Sequence, residues 1–166
     1  MLNSLRYATS SDASELHRLI VELAVFEREP NAVQVSVEQL RKQMTEGAHF
    51  RAVVAECERQ NEDGKKTVVV TGFALFFFNY STWKGCKGLY LEDLFVSEAF
   101  RGRGIGKDLM SFLAKVAKEE RCARFEWSVL KWNQPAISFY EHLGAIRMDE
   151  WVGYRLDEQG IEGLNC

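Results

Sequence analysis

The chain has only two prolines, Pro30 and Pro135, and no stretch rich in Pro, Gly or Ser. This excludes collagen-like and polyproline segments and leaves no obvious inter-domain linker. Its four cysteines (Cys57, Cys86, Cys122 and Cys166) are scattered, with no C-x-x-C. The histidines His17, His49 and His142 are isolated, so no metal-ligand spacing is present and no metal is expected. Such cysteine usage fits reduced thiols in a cytoplasmic protein. A net charge of −3 leaves no excess of one sign, and no basic stripe interleaved with aromatics suggests a nucleic-acid partner. The longest apolar run, Val68–Phe78, is broken by Thr71 and Gly72 and is too short for a bilayer, and the first residues do not read as a secretory signal. What remains is a 166-residue chain, 46% hydrophobic, which suits one domain spanning residues 1–166 with a sizeable core.

The order of elements follows from periodicity and caps. Arg6–Thr9 reads as a first strand, followed by a helix capped by Ser11 or Asp12, with Leu16, Leu19, Ile20, Leu23 and Phe26 on its apolar side. Ser36 and Gln39 form a capping box for a second helix carrying Leu40 and Met44. Phe50–Glu56, Thr67–Phe78 and Leu89–Val96 read as strands, with Cys57–Lys66 as an exposed loop. Gly104–Glu120 is a helix with Ile105, Leu109, Phe112, Leu113 and Val116 on one face. Ala123–Leu130 is a strand, Asn133 caps a helix that ends at Gly144, and Trp151–Leu156 is a last strand. The sum is a mixed α/β fold with helices covering a mixed sheet.

The most informative stretch is Arg101-Gly102-Arg103-Gly104-Ile105-Gly106, between a strand and a helix. Glycines permit a left-handed turn and close approach of a ligand, and the helix start offers unpaired N–H groups and a positive dipole end. This is a site for phosphate or pyrophosphate. A P-loop fails because Asp108 stands where Ser or Thr is needed. A dinucleotide fingerprint fails because the pattern is G-x-G-x-G past mid-chain, although Glu126 lies at about the distance of a ribose-binding acid.

Arg101, Gly104 and Gly106 match the pyrophosphate motif Arg/Gln-x-x-Gly-x-Gly/Ala, and the chain resembles the GNAT superfamily of acyl-CoA-dependent N-acyltransferases. Leu89–Val96, the glycine turn, Trp132–Tyr140 with Gly144-Ala145, Glu22–Glu27 and Tyr80–Gly85 are similar to the spermidine/spermine (diamine) N-acetyltransferase family. That resemblance implies a GNAT fold: a central, mixed, mostly antiparallel twisted sheet of six to seven strands with about four helices. It implies acetyl-CoA as cofactor. The diphosphate would lie on Arg101, Gly102, Arg103, Gly104, Ile105, Gly106 and Lys107, and the pantetheine arm would pair with the backbone of Leu94, Phe95 and Val96. Asn133, Ala136 and Tyr140 would add cofactor contacts from the next turn and helix. A homodimer with a shared acceptor cleft is implied as well.

Acetyl transfer to an amine needs a base, since an alkylammonium has a pKa of roughly 10. Glu92, a carboxylate in an apolar strand, is the candidate, its pKa raised by desolvation and its action direct or through water. Tyr140 is the candidate acid for the leaving thiolate, and a backbone N–H near Phe95 the candidate oxyanion donor. Glu27, Asp93, Glu126 and Glu150 are candidate partners for a cationic acceptor, together with Phe26, Trp83, Trp127 and Ser128. Asp93 would face away from Glu92 in a regular strand, whereas a β-bulge would turn both toward the cleft. No cysteine falls in these motifs, which favours direct attack in a ternary complex over an acetyl-cysteine. The polyamine enzymes carry an aspartate where Ser81 stands and an acid where Val152 stands, and Lys84 has the wrong sign for a polycation. The Tyr80–Gly85 stretch looks more like the thialysine-preferring branch, with Lys84 placed for an amino-acid carboxylate. The alternatives are a protein lysine or N-terminal acetyltransferase, a non-catalytic acyl-CoA sensor, and nucleotide redox or hydrolytic chemistry.

Overall fold

A computed structural model describes residues 3–46, 49–60 and 63–164. Contacts gather into two compact units, Met1–Ser128 and Val129–Cys166. The first unit holds β1 (Asn3–Tyr7), α1 (Ala13–Phe26), α2 (Val37–Thr45), β2 (Arg51–Gln60), β3 (Lys66–Ser81), β4 (Cys86–Val96), α3 (Ile105–Glu119) and β5 (Phe125–Trp127). The strands form one sheet in chain order, antiparallel except for the parallel pair β4–β5. The second unit holds α4 (Gln134–His142) and α5 (Glu158–Gly163). This is the expected mixed α/β fold with one mixed, mostly antiparallel sheet, but with five strands among the described residues rather than six or seven. Trp151–Leu156 forms no strand: a turn bond from Trp151 N to Met148 O enters an irregular segment. The Ala123–Leu130 strand shortens to Phe125–Trp127. Alternation makes these residues able to join a sheet, but only a partner strand makes them do so.

Helix ends follow their caps. Ser36 Oγ accepts from Gln39 N at 3.1 Å while Gln39 Oε1 accepts from Ser36 N at 2.8 Å, the capping box expected for α2. Asn133 Oδ1 accepts from Ala136 N at 3.3 Å, and Gly144 follows α4 at φ +85°. The start of α1 differs. Asp12 stands at its N-cap but turns its carboxylate back to Thr9 N (2.7 Å) and to a two-pronged contact with Arg6. The Arg6 hydrogen bonds, with help from Thr9, hold Asp12 down to about 2 against the cost of its burial. Arg6 also grips Glu56, pinning α1's approach to the β1–β2 pair.

The core lies between the sheet and its helices. Leu16, Leu19, Val54 and Phe73 are fully enclosed, with Leu40, Ala52, Val70 and Phe95 beside them. Ile105, Leu109, Leu113 and Val116 bury the expected face of α3, and Phe112 meets the Tyr7 ring edge-on at 5.4 Å. The β2–β3 hairpin is longer than its composition suggests. Cys57–Gln60 pair with Lys66–Val69 rather than forming a loop, and Cys57 is buried. Two glycines let the middle strands close. A Cβ on Gly72 would stand 2.7 Å from the Phe95 carbonyl oxygen, and one on Gly88 would stand 2.3 Å from Asn79 Oδ1. No helix among the described residues is long and apolar enough to cross a membrane.

Candidate active site

Strand β4 changes character along its length. At Leu89–Leu91 it is paired on both sides, with Phe76–Phe78 of β3 and with Phe125–Trp127 of β5. At Glu92 the β3 register slips: Leu75 faces Asp93 and Phe76 faces Leu91, so Glu92 is the extra residue of a bulge. Beyond it Leu94, Phe95 and Val96 still pair with Ala74, Phe73 and Gly72. The β5 ladder has ended, so among the described residues no strand pairs with their other backbone edge.

The bulge reverses the expected burial of the two acids. Glu92, expected to be desolvated in an apolar strand, is exposed. Asp93 is the carboxyl that burial, then the charges of Glu92 and Glu27, push up to about 6. Glu27 caps the C-terminus of α1, and its own burial raises its pKa. Alternation cannot see a one-residue insertion, so the sequence pointed to the wrong member of the pair for burial. Three carboxylates thus meet where β4 opens. Loss of one proton from Asp93 lies within the neutral range, and the group offers negative charge to a cation.

The chain then turns through Ser97 and a short helical turn, Glu98–Phe100, into the glycines. Gly102 and Gly104 adopt φ of +74° and +81°, the left-handed conformation for which glycine is suited. The first intrahelical bond of α3 runs from Asp108 N to Gly104 O at 3.0 Å, so the N–H groups of Ile105, Gly106 and Lys107 precede the ladder at the positive end of the helix. Arg101 is placed otherwise than expected. Its Nε donates to the Val96 carbonyl at 3.0 Å, and its guanidinium lies 4.8 Å over the Phe26 ring and 5.4 Å over Phe95. It caps β4 and ties the end of α1 to the turn. Arg103 Nη2 donates to the Ala99 carbonyl, so both arginines stiffen the loop.

A network absent from the sequence reading anchors the same turn. Ser97 Oγ donates to Glu22, Glu22 pairs with Arg18, and Arg18 Nη2 donates to the Val70 carbonyl at 2.8 Å. Glu22 lies one helical turn before Phe26, so i, i+4 spacing relates it to the site, as does its place in the Glu22–Glu27 stretch.

Other candidates lie apart. Glu126 is held by Arg124 Nε at 2.9 Å and Asn79 Nδ2 at 3.3 Å, which explains its place in β5 without a ligand. Ser128 Oγ shares a hydrogen with Tyr90 at 3.0 Å, and Trp127 faces Leu91 in the register. Trp83 and Lys84 sit exposed in the β3–β4 turn, where Ser81, expected to bear on specificity, is buried and accepts from Lys84 N at 3.3 Å. From Cys86 to Glu92 is roughly 20 Å of extended strand at about 3.3 Å per residue, so this turn and the bulge are opposite ends of β4. In the second unit, Tyr140 lies on α4 with its ring 5.2 Å from Phe139, and burial pushes its phenol up to about 12. It remains a protonated donor across the neutral range. Asn133 and Ala136 are joined in the α4 cap, and Glu150 is exposed in a turn.

The Acetyltransferase (GNAT) family profile matches residues 15–145. The chain belongs to the GNAT acetyltransferase family. This GNAT chain is 36% identical to the thialysine N-epsilon-acetyltransferase of Mus musculus over 164 residues, covering 96% of this chain and 95% of that one. It is 30% identical to the L-ornithine N5-acetyltransferase NATA1 of Arabidopsis thaliana over 202 residues, covering 99% and 89%. Among solved structures, an integron cassette protein from the mobile metagenome of V. cholerae superposes with a TM-score of 0.77 at 27% identity, covering 99% of this chain and 98% of that one. The family and these relatives make the chain an amine N-acetyltransferase.

Proposed function

We propose that the chain, acting as one acetyltransferase domain, moves the acetyl group of acetyl-CoA to a primary amine of a small lysine-like amino acid or diamine by direct attack in a ternary complex. The observation that carries this reading is the convergence, at one end of β4, of Glu27, Glu92 and Asp93 with an open backbone edge and a glycine turn. The residues fit the cofactor. Gly102 and Gly104 supply left-handed turns with open space at their Cα atoms, the N–H groups of Ile105–Lys107 suit a diphosphate, and Leu94–Val96 offer a free ladder edge to the pantetheine amides. When bound, acetyl-CoA supplies an acetyl group activated as a thioester.

The chain's own residues do the rest. Asp93 and Glu27 attract the ammonium of the acceptor, and the exposed Glu92 passes its proton to water, leaving a neutral nucleophile. The Tyr140 hydroxyl donates a proton to the departing sulfur, a role suited to a phenol that burial keeps neutral. The cysteines give no support to a covalent route: Cys57 is buried among β2 and β3, and Cys86 lies at the far end of β4. Both relatives named above are called after acceptors with a side-chain amine on an amino acid. Lys84 is a partner for the carboxylate of such a substrate. Its distance from the bulge along β4 calls for a second copy of the chain to present it, in a homodimer with a shared cleft. Free thiols suit a cytoplasmic setting.

The test is CoA-thiol release with acetyl-CoA over a panel of thialysine, ornithine, a short diamine, spermine and a lysine-bearing peptide, with Tyr140→Phe alongside. Preference for the amino acids, and roughly 100-fold slower turnover of the variant with unchanged acetyl-CoA binding, is the expected result. Preference for spermine or the peptide overturns the acceptor assignment. Full turnover of Tyr140→Phe overturns the acid.

A further inference from the structure

Ser97 is the residue at which the chain leaves β4, and three hydrogen bonds fix it. Its N–H donates to the Thr71 carbonyl of β3 at 2.9 Å, and its own carbonyl accepts from Phe100 N at 2.9 Å. Its hydroxyl donates to Oε2 of Glu22 on α1. The other oxygen of Glu22, Oε1, accepts from Arg18, whose Nη2 returns to β3 at the Val70 carbonyl, 2.8 Å away. Val70 and Thr71 are neighbours in β3, so these bonds close a circuit through β3, α1 and the approach to the glycine turn.

Two features mark the circuit as directed. Ser97 stands at the N-cap of the Glu98–Phe100 turn, where a serine ordinarily offers its oxygen to the backbone N–H groups that follow. It makes no such cap, and its hydroxyl goes to α1 instead. The Arg18 and Glu22 side chains are 39% and 36% exposed, and a pair so solvated adds little to the stability of the fold. The effect of the circuit is geometric. One helical turn after Glu22, the Phe26 ring lies 4.8 Å from the Arg101 guanidinium. Residues 97–101 are therefore held against α1 at both ends, directly before Gly102 and Gly104. A glycine turn has many conformations open to it, and selecting one costs entropy when a ligand binds. Fixing its entry beforehand lowers that cost.

We propose that Ser97 and Glu22 are positioning residues for acetyl-CoA: their hydrogen bond sets where the glycine turn begins and so aims the N–H groups of Ile105, Gly106 and Lys107 at the diphosphate. Neither residue touches the reacting atoms. The inference rests on the reading that acetyl-CoA binds at this turn. Loss of the bond falls on cofactor affinity and spares the acids at the bulge, so the KM for the amine and the turnover at saturation stay as they are.

The experiment measures acetyl-CoA affinity by calorimetry, melting curves, and steady-state rates with an amine that the wild type acetylates. It compares the wild type with Ser97→Ala, Ser97→Thr, Glu22→Ala and the Ser97→Ala/Glu22→Ala double variant. Each single alanine variant should bind acetyl-CoA roughly tenfold more weakly, the size of one hydrogen bond to a charged group. The double variant should be no weaker than the singles, because either change opens the same bond. Ser97→Thr keeps the hydroxyl and should restore affinity. For Ser97→Ala, kcat at saturating acetyl-CoA and the melting midpoint should remain near those of the wild type. The assignment is overturned by unchanged affinity in Ser97→Ala, by losses that add to about a hundredfold in the double variant, by failure of Ser97→Thr to restore binding, or by an equal rise in the KM for the amine. A wild type that binds no acetyl-CoA removes the cofactor reading and this inference with it. A wild type that binds, beside a Ser97→Ala that binds equally, removes this inference alone. If Glu22→Ala does not fold, the two Ser97 variants decide the matter.

Discussion

The two ends of β4 are one strand under two rules. From Leu89 to Leu91 it is a ladder member with neighbours on both sides, β3 and β5. From Glu92 to Val96 it keeps β3 and loses β5, and a bulge gathers acids at the point of change. Closure contributes stability at the first end. Incomplete pairing at the second leaves amides and carbonyls for a ligand, together with the desolvation cost of Asp93. The comparison shows that an unpaired edge need not be a sheet's outer strand, since it can be one half of an inner one.

The largest test removes the change of rule itself. Deleting Glu92 should erase the bulge, and turnover should fall by about 1,000-fold or more while circular dichroism still reports a folded sheet. Near-normal turnover would show that the bulge is incidental. Next come the two glycines. Gly72→Ala and Gly88→Ala should each cost about 1–3 kcal/mol in urea unfolding, since a Cβ meets Phe95 O in one case and Asn79 Oδ1 in the other. Only Gly72→Ala, opposite Val96, should also raise the KM for acetyl-CoA, by about tenfold, and equal effects on KM would break the contrast between the ends.

An effect of similar size but opposite sign is expected at Asp93. Its folded-state pKa of about 6 lies above the ordinary carboxylate value, so the native state binds the proton more tightly than the unfolded chain does. Its ionisation therefore destabilises the fold at pH 7.5, and that penalty disappears as pH falls toward 4. Asp93→Asn should gain about 1–3 kcal/mol at pH 7.5 and little at pH 4, with weaker acceptor binding. Equal gain at both pH values would locate the strain elsewhere. The smallest effect belongs to Glu126→Gln at the closed end. Loss of a half-exposed pair with Arg124 should cost under about 1 kcal/mol and leave turnover unchanged.

Much of this was legible because local chemistry decides it. The Ser36–Gln39 box, the Asn133 cap, the Gly144 stop, the apolar face of α3 and the left-handed Gly102 and Gly104 each follow from a few neighbouring residues. Features set by distant partners were not legible. The reach of β2 to Gln60 depends on β3, and Trp151–Leu156 joins no strand ladder among the described residues despite its alternation. Arg101 carries a motif's charge, yet Phe26 and the Val96 carbonyl, reached through folding, decide where it lies. The exchange of burial between Glu92 and Asp93 is of the same kind, because a bulge is a mismatch between two strands and neither strand alone contains it.

The slip at Glu92 has a corollary for how this protein tolerates change. Between Leu91 and Val96 the spacing itself is functional information: adding or removing a single position there would swap which residues look up and which look down all the way to the glycines, even if every retained amino acid kept its identity. Point replacements in this stretch alter one contact, whereas a frame-preserving codon loss would re-address them all. Libraries meant to retune the acceptor should therefore vary the letters here and hold their number fixed.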